Sequence, residues 1–441
     1  MVIDNSYYKK IIYKKNAFED VKTYIKLNYT NKKILLVSTK SVPAEYVTVL
    51  LNSLFCGSEN VHHFVSRQNF LKAELDSLND RLVGGNFDII VSFGGGKCCD
   101  TVKYFASMFK LPYIVCPTIA SSLAYFSNYC VNPYDSTKSF YAEFPNKIFI
   151  QEQIIKDANC YSNIEGLCFL NSLRAVYVEG IARDNEKERY IFMGIEKLLN
   201  KLSEEQTNIL LCNEDSNLVL MDMFIDFGFY IGLLNREEYY LFNMYCIYEK
   251  LVSNEGQGKM SGKKMLLCGK SFLSTMKNFI ELNSVMCMEK NNYEKISNII
   301  RNNGLHYKML KNNAFFVSFN KKTYIKKEFS SYKENYYKMI CEQLRRISEF
   351  SKKVRSVYKY GIEVQSDIEN IYKALAVTPY IYDSGNMVNM FANSGLLNSF
   401  LALLMIKKQQ SVNNCSYEKA DCFYFNCVTI MFYKSFTNKR F

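Results

Sequence analysis

Histidine is scarce in this chain. Its 441 residues hold three, His62, His63 and His306, and none lies between residues 64 and 305. A site within that interval that needs an imidazole is therefore excluded. Long apolar runs are missing too. No stretch of about 18 apolar residues is free of charge, so no membrane span is expected. The first residues, MVIDNSYYKKIIYKK, have neither an apolar core nor a small-residue cleavage site, and no secretory signal is expected. No cysteine pairs have zinc-finger spacing, and there is no internal repeat or low-complexity linker. The cysteines number fifteen, an odd count, with Cys98 beside Cys99. Without an export signal they read as reduced thiols in a cytoplasm.

What is present suits a large core: 48% of residues are hydrophobic and 22% charged. The length predicts two domains. The net charge of +12 raises nucleic acid or anionic lipid as a partner. The lysines are spread widely, however, among abundant Asn, Ile, Tyr and Phe, so compositional bias accounts for the charge and no nucleic acid is expected. The densest basic stretch, Asn320 to Met339, also carries Glu328 and Glu334 and reads as a solvated helix or connector.

Lys32 to Ser41 is a short apolar run between polar ends, the mark of a buried parallel strand. Phe70 to Gly85 has helical spacing and a terminal glycine pair. Phe87 to Phe93 predicts a second strand, about Cys98 to Phe109 a helix, and Pro112 to Thr118 a third strand. Asn146 to Ile155 reads as one more strand, closing this half. The alternation predicts a parallel α/β layer. Beyond about residue 156 strand signals fade and long helical segments follow, Ser394 to Gln410 among them. The expected fold is an α/β Rossmann-like domain with a parallel sheet over residues 1–155, then an all-helical domain over 156–441. The apolar stretch Cys422 to Phe436 is too short to span a bilayer and is expected to dock on the body.

Between the second strand and its helix stand Gly94, Gly95 and Gly96, followed by Lys97, Asp100 and Lys103. A glycine turn there lets backbone N–H groups approach an anion, and the helix N-terminus adds its dipole. A tight structural turn explains the glycines equally well. About a dozen residues after that helix comes LPYIVCPTIASSLAYFSN. This pair of motifs resembles the iron-containing alcohol dehydrogenase, glycerol dehydrogenase and dehydroquinate synthase superfamily. The likeness is strong from about Lys32 to Phe144 and piecewise beyond. The late SGLLNSF segment and the length look most like the glycerol-1-phosphate dehydrogenase branch.

The resemblance implies an NAD(P) site in which Gly94, Gly95, Gly96 and Lys97 hold the diphosphate. Asp100 would sit in the first helical turn, where a carboxylate suits the dipole. Thr118 and Ser121 would line the site from the next loop. Thr39 and Lys40 end the first strand where many such sites place an acid on the ribose; Lys40 hints at NADP over NAD. His62 and His63 fall outside the motifs and read as a surface loop.

The family's metal, zinc or iron, is held by one Asp and two His of the helical domain. The matching positions fall near Phe169, Tyr245 and Ser261, none of which suits such a site. Leu123 stands where the family usually has a substrate-side Asp. Glu214, Asp215, Asp222 and Asp226 form an alternative acidic cluster, which reads more simply as an exposed face. Three functions stay open. One is an NAD(P)-dependent oxidoreductase of a small polyol or its phosphate, in the dihydroxyacetone phosphate and glycerol 1-phosphate class, with Tyr245, Lys263 or Lys264 as proton donor. Another is a catalytically degenerate, metal-free nucleotide- or sugar-phosphate-binding homologue or partner subunit. The third is a different reaction on the same scaffold. The resemblance also implies a homo-oligomer. Cys98 and Cys99, at a helix start, read as chance placements rather than nucleophiles.

Overall fold

The computed structural model describes residues 6–67, 69–135, 138–183, 185–212, 215–236, 239–254, 262–282, 322–358, 370–371 and 374–375. The chain opens with α1 (Ser6–Lys9), β1 (Ile11–Lys14), α2 (Ala17–Asn28), β2 (Ile34–Thr39), α3 (Ala44–Phe55), β3 (Val61–Ser66) and α4 (Lys72–Gly85). Next come β4 (Ile89–Gly94), α5 (Gly96–Phe109), β5 (Tyr113–Pro117), a 3-10 turn (Leu123–Phe126), the hairpin strands β6 (Tyr129–Val131) and β7 (Ser139–Tyr141), and β8 (Lys147–Gln151). Helices follow: α6 (Glu152–Lys156), α7 (Cys160–Arg183), α8 (Arg189–Leu210), α9 (Ser216–Gly232), α10 (Tyr240–Asn254), α11 (Gly262–Leu282) and α12 (Lys322–Tyr358).

The main sheet has six strands in the order β1-β8-β5-β4-β2-β3, all pairs parallel. Strands β2, β4 and β5 are buried almost throughout, as expected when helices cover both faces. Alternate residues feed two layers. Ile34, Leu36, Ile89, Val91 and Phe93 meet Phe18, Val21, Ile25, Leu50 and Leu54 of α2 and α3. Leu35, Val37, Ile90 and Val115 face α4 and α5, and this second layer runs on without a break into α7 to α12. The structure is thus a parallel α/β layer followed by a helical region, as the sequence predicts.

Two local expectations are corrected. His62 and His63 are not in a loop: they belong to β3, paired to β2, with His63 Nε2 2.8 Å from Ser38 Oγ. The strand expected over Asn146 to Ile155 ends at Gln151 and turns into α6. It is the last strand of this half, and in the sheet it lies between β5 and β1. The acidic stretch ending in Asp222 and Asp226 lies on α9, where Tyr8 donates to Asp226 (3.2 Å). Among the described residues no group of three His, Cys, Asp or Glu could hold a metal ion; Glu214 is outside them. So are Ser394 to Gln410 and Cys422 to Phe436. No described helix is long and apolar enough to cross a membrane.

The chain's passage into the helical region is pinned. The Asn217 side-chain amide donates to the carbonyls of Ile155 (2.8 Å), Lys156 (2.9 Å) and Ala158 (3.1 Å). The loop after β5 is clasped as well: a Cβ on Gly166 of α7 would run into the Ala120 carbonyl, and one on Gly228 of α9 into Phe126.

Candidate functional site

In the strand order, β2 and β4 are neighbours whose onward connections run to opposite sides. Such a switch point opens a crevice at the carboxyl ends of the strands. Thr39 ends β2 there and Gly94 ends β4, and a Cβ on Gly94 would lie 3.6 Å from Thr39 Oγ1. Gly95 caps α5 in extended backbone (φ −76°, ψ −178°) and Gly96 begins the helix. A side chain at Gly96 has no room, since its Cβ would stand 2.5 Å from Ser122 Cβ and collide with Ser122 Oγ. The loop after β5 therefore lies directly on the glycine turn. Thr118 N–H donates to the Gly94 carbonyl (3.4 Å), and a Cβ on Gly95 would meet Ile119 at 3.4 Å. The structure thus brings together Thr39, Gly94, Gly95, Gly96 and Thr118, with Ser121 half-buried in the same loop. Lys97 is half-buried in the first turn of α5. Burial lowers its pKa, opposed by the Glu249 and Glu74 carboxylates. Lys40 is exposed just past β2.

Asp100 departs from expectation. The helix begins at Gly96, so Asp100 lies beyond the first turn, which contains no acid. It points at Lys103 (3.9 Å) rather than at the glycine turn. Burial lifts its carboxyl to about 6, with Lys103 and Arg236 opposing. A raised folded pKa means that the native state holds the proton more tightly than the unfolded chain, so stability falls as pH rises from about 4 to about 6. Asp100→Asn is expected to be as stable as the parent or more so at pH 7, by at most ~3 kcal/mol. That gain should vanish below about pH 4, as urea unfolding at the two pH values would show.

Lys103 is fully buried, yet its ammonium is satisfied. Nζ donates to the carbonyls of Ala124 (2.8 Å), Ser127 (2.8 Å) and Tyr129 (2.9 Å). It staples the segment after the cradle loop onto α5. Leu123, in place of an acid, is buried under this segment at 1% exposure.

Of the positions matched to metal ligands, Phe169 packs its ring on Phe224, 6.0 Å between centroids. Tyr245 is buried and stacks on Tyr248 at 6.4 Å. Ser261 is outside the described residues. A hydrocarbon ring and a phenol do not fit an Asp/His donor set. The adjacent Gly262 lies on the backbone of α7: its Cβ would collide with the Glu165 carbonyl and stand 2.9 Å from Phe169 N. So α7 and the start of α11 do meet, and the polar pair there is Lys263 Nζ with Glu165 Oε1, 3.6 Å apart. Lys264 Nζ lies over the Tyr248 ring at 5.6 Å. Cys98 and Cys99 are buried, and burial pushes the Cys98 thiol up to about 12. Neither is a thiolate at neutral pH.

Sequence reasoning named Ser121 where Ser122 makes the contact with Gly96, and gave Lys103 no role although it stands three residues after Asp100 in the motif. Glu165 and Arg236 carry no local signal, because tertiary packing alone brings them to the site.

Comparisons with known proteins agree with this architecture. Residues 9–148 match the family described as iron-containing alcohol dehydrogenase. Glycerol dehydrogenase 1 of Schizosaccharomyces pombe is 29% identical over 163 residues, 36% of this chain and 36% of that protein. The match thus spans about a third of the curated relative's length. Among solved structures, an iron-containing alcohol dehydrogenase from Thermotoga maritima aligns with a TM-score of 0.54 at 13% identity, over 88% of this chain and 98% of its own. Glycerol dehydrogenase from S. pombe gives 0.51 at 17% identity, over 92% of each chain. Sulfoacetaldehyde reductase from Bifidobacterium kashiwanohense, solved in complex with NAD+, gives 0.52 at 12% identity, over 89% of this chain and 97% of its own. At these identities the structures speak for the fold.

Proposed function

We propose that this chain, whose residues 9–148 match the iron-containing alcohol dehydrogenase family, is an NAD(P)-dependent dehydrogenase of a small polyol or its phosphate, in the dihydroxyacetone phosphate and glycerol 1-phosphate class. The observation that carries the reading is the glycine turn at the switch point, overlaid by the Thr118–Ser122 loop so closely that only glycine fits at residue 96. Gly94, Gly95, Gly96 and Lys97 would hold the diphosphate, with Thr39, Thr118 and Ser121 lining the site; Asp100 supports it through Lys103. A nicotinamide bound there would supply or take the hydride. A proton donor would complete carbonyl reduction, and Lys263, ion-paired with Glu165 at 3.6 Å, suits that task better than the interior Tyr245. Phe169 and Tyr245 do not fit a metal, so no step is routed through one.

The same misfit favours a second reading, a metal-free binding homologue or partner subunit. The domain division at 155/156, a cytoplasmic setting and a homo-oligomer belong to the proposal.

NADH titration by nicotinamide fluorescence, followed by NADH oxidation with dihydroxyacetone phosphate, tests the reading. Binding with turnover that survives a chelator supports the dehydrogenase. Binding without turnover favours the second reading, and no binding sinks both. Lys40 makes a separate forecast: NADPH should bind more tightly than NADH, and Lys40→Asp should reverse that order. Tighter NADH binding in the parent chain would refute it.

A further inference from the structure

The loop between α9 and α10 carries Arg236, 7% exposed. Its guanidinium is layered between two rings, 4.9 Å from the Tyr129 centroid and 5.2 Å from that of Phe242. Its backbone N–H donates to the Tyr141 hydroxyl (2.9 Å). Among the described residues, Nε and Nη2 have no hydrogen-bond partner, and no ion pair within reach is formed by the guanidinium.

A buried guanidinium left this way is costly, and ring faces recover only part of its lost hydration. The charged groups around it do not settle the account. Asp100 faces it from α5 but is shared with Lys103. Tyr129 and Tyr141 face it from the hairpin and Cys246 from α10, and Cys246 in turn feels Glu249 and Asp135. Among the described residues, two buried cations thus share one nearby carboxylate. The geometry of the unsatisfied atoms is specific. Nε and Nη2 form the side-on edge of a guanidinium, two parallel donors spaced for two oxygens of one carboxylate or phosphate. The location is also specific. Asp100 lies one turn along α5 from the cradle, and Phe242 and Cys246 flank Tyr245 on α10.

We infer that Arg236 receives an oxyanion, the phosphate or carboxylate group of the small substrate, through the side-on edge of its guanidinium. The identity of the ligand as substrate rests on the dehydrogenase reading; the anion site itself does not. Both nitrogens are sealed, so entry requires an opening between the β6–β7 hairpin, which supplies Tyr129, and α10, which supplies Phe242. The hairpin is fastened at Tyr141, whose hydroxyl donates to Asn235 Oδ1 (2.9 Å), and at Tyr129, whose carbonyl accepts from Lys103 Nζ (2.9 Å).

The full chain can be unfolded thermally at constant ionic strength in chloride, with inorganic phosphate, acetate or glycerol added. The midpoint of the parent protein should rise saturably with phosphate or acetate and not with glycerol. The anion that saturates at the lower concentration names the group. Arg236→Met should melt higher than the parent in chloride and lose the anion response. Arg236→Lys should fold and respond with at least ~10-fold weaker apparent affinity. Anion held at the glycine cradle would be common to all three proteins, so the difference between parent and variants is the readout. An equal response in parent and Arg236→Met overturns the inference, as does a parent that responds to neither anion. If Arg236→Met does not fold, Arg236→Lys decides: a response equal to the parent's overturns it. NADH titrated into the same proteins separates the two claims. A parent that binds phosphate through Arg236 but not NADH refutes the dehydrogenase reading alone, and the converse refutes this site alone.

Discussion

Lys103→Met should cost the protein about 3–5 kcal/mol, the usual penalty for breaking a buried polar cluster by removing one partner. The substitution is nearly isosteric, so the loss would come from chemistry rather than volume. Three carbonyls that now share one ammonium would be left facing hydrocarbon, and Asp100 would lose its nearest cation. Denaturant unfolding measures the cost. Nicotinamide binding should weaken as well, because the stapled segment continues the loop that lies on the glycine turn. Lys103→Arg should not rescue either property. A planar fork cannot meet three carbonyls converging on one point in a space with no exposure. A Lys103→Met protein as stable as the parent would show that the staple is ornamental.

Gly96→Ala is expected to have two separable effects. The new methyl group meets Ser122, and overpacking of that kind costs about 1–3 kcal/mol. It also pushes the loop from the proposed diphosphate cradle and should weaken NADH binding by roughly 10- to 100-fold, about 1.4–2.7 kcal/mol. Pairing it with Ser122→Gly tells the effects apart in a double-mutant cycle. Stability should return in the double variant, because the clash is with the Ser122 side chain. Binding should return only in part, because a methyl group still stands where backbone N–H groups approach the ligand. Full recovery of both would mean that Gly96 serves packing alone and that the anion lies elsewhere.

Local pattern suffices for the centre of the sheet. β2, β4 and β5 are central strands covered on both faces, so each reads as an unbroken apolar run. β1 and β3 are the edges. IIYK is short and half-buried, and VHHFVS alternates partly polar residues, so neither stands out from a loop. The glycine turn was legible because its backbone demand is written in the residues themselves. Lys103 was visible in the motif but mute, since the carbonyls that explain it lie 21 to 26 residues further on. Arg236 was invisible. Its neighbours come from α5, the hairpin and α10, and nothing in the residues beside it announces a buried cation. Asp100 was misplaced by a single turn because the helix starts at Gly96 rather than Cys98, which changes an N-terminal carboxylate into an interior one.

The clasp on the loop after β5 has a kinetic corollary. Gly166 and Gly228 bring two helices against it backbone to backbone, Ser122 is seated on Gly96, and the segment just beyond is held by Lys103. Nothing soft is left between the loop and its supports. It should therefore behave as fixed masonry, not as a shutter over the crevice. Amide hydrogens from Thr118 to Phe126 should exchange at a rate that nucleotide barely alters. Any gating of ligand traffic would fall to the β6–β7 hairpin next door, whose exchange should slow when the crevice fills.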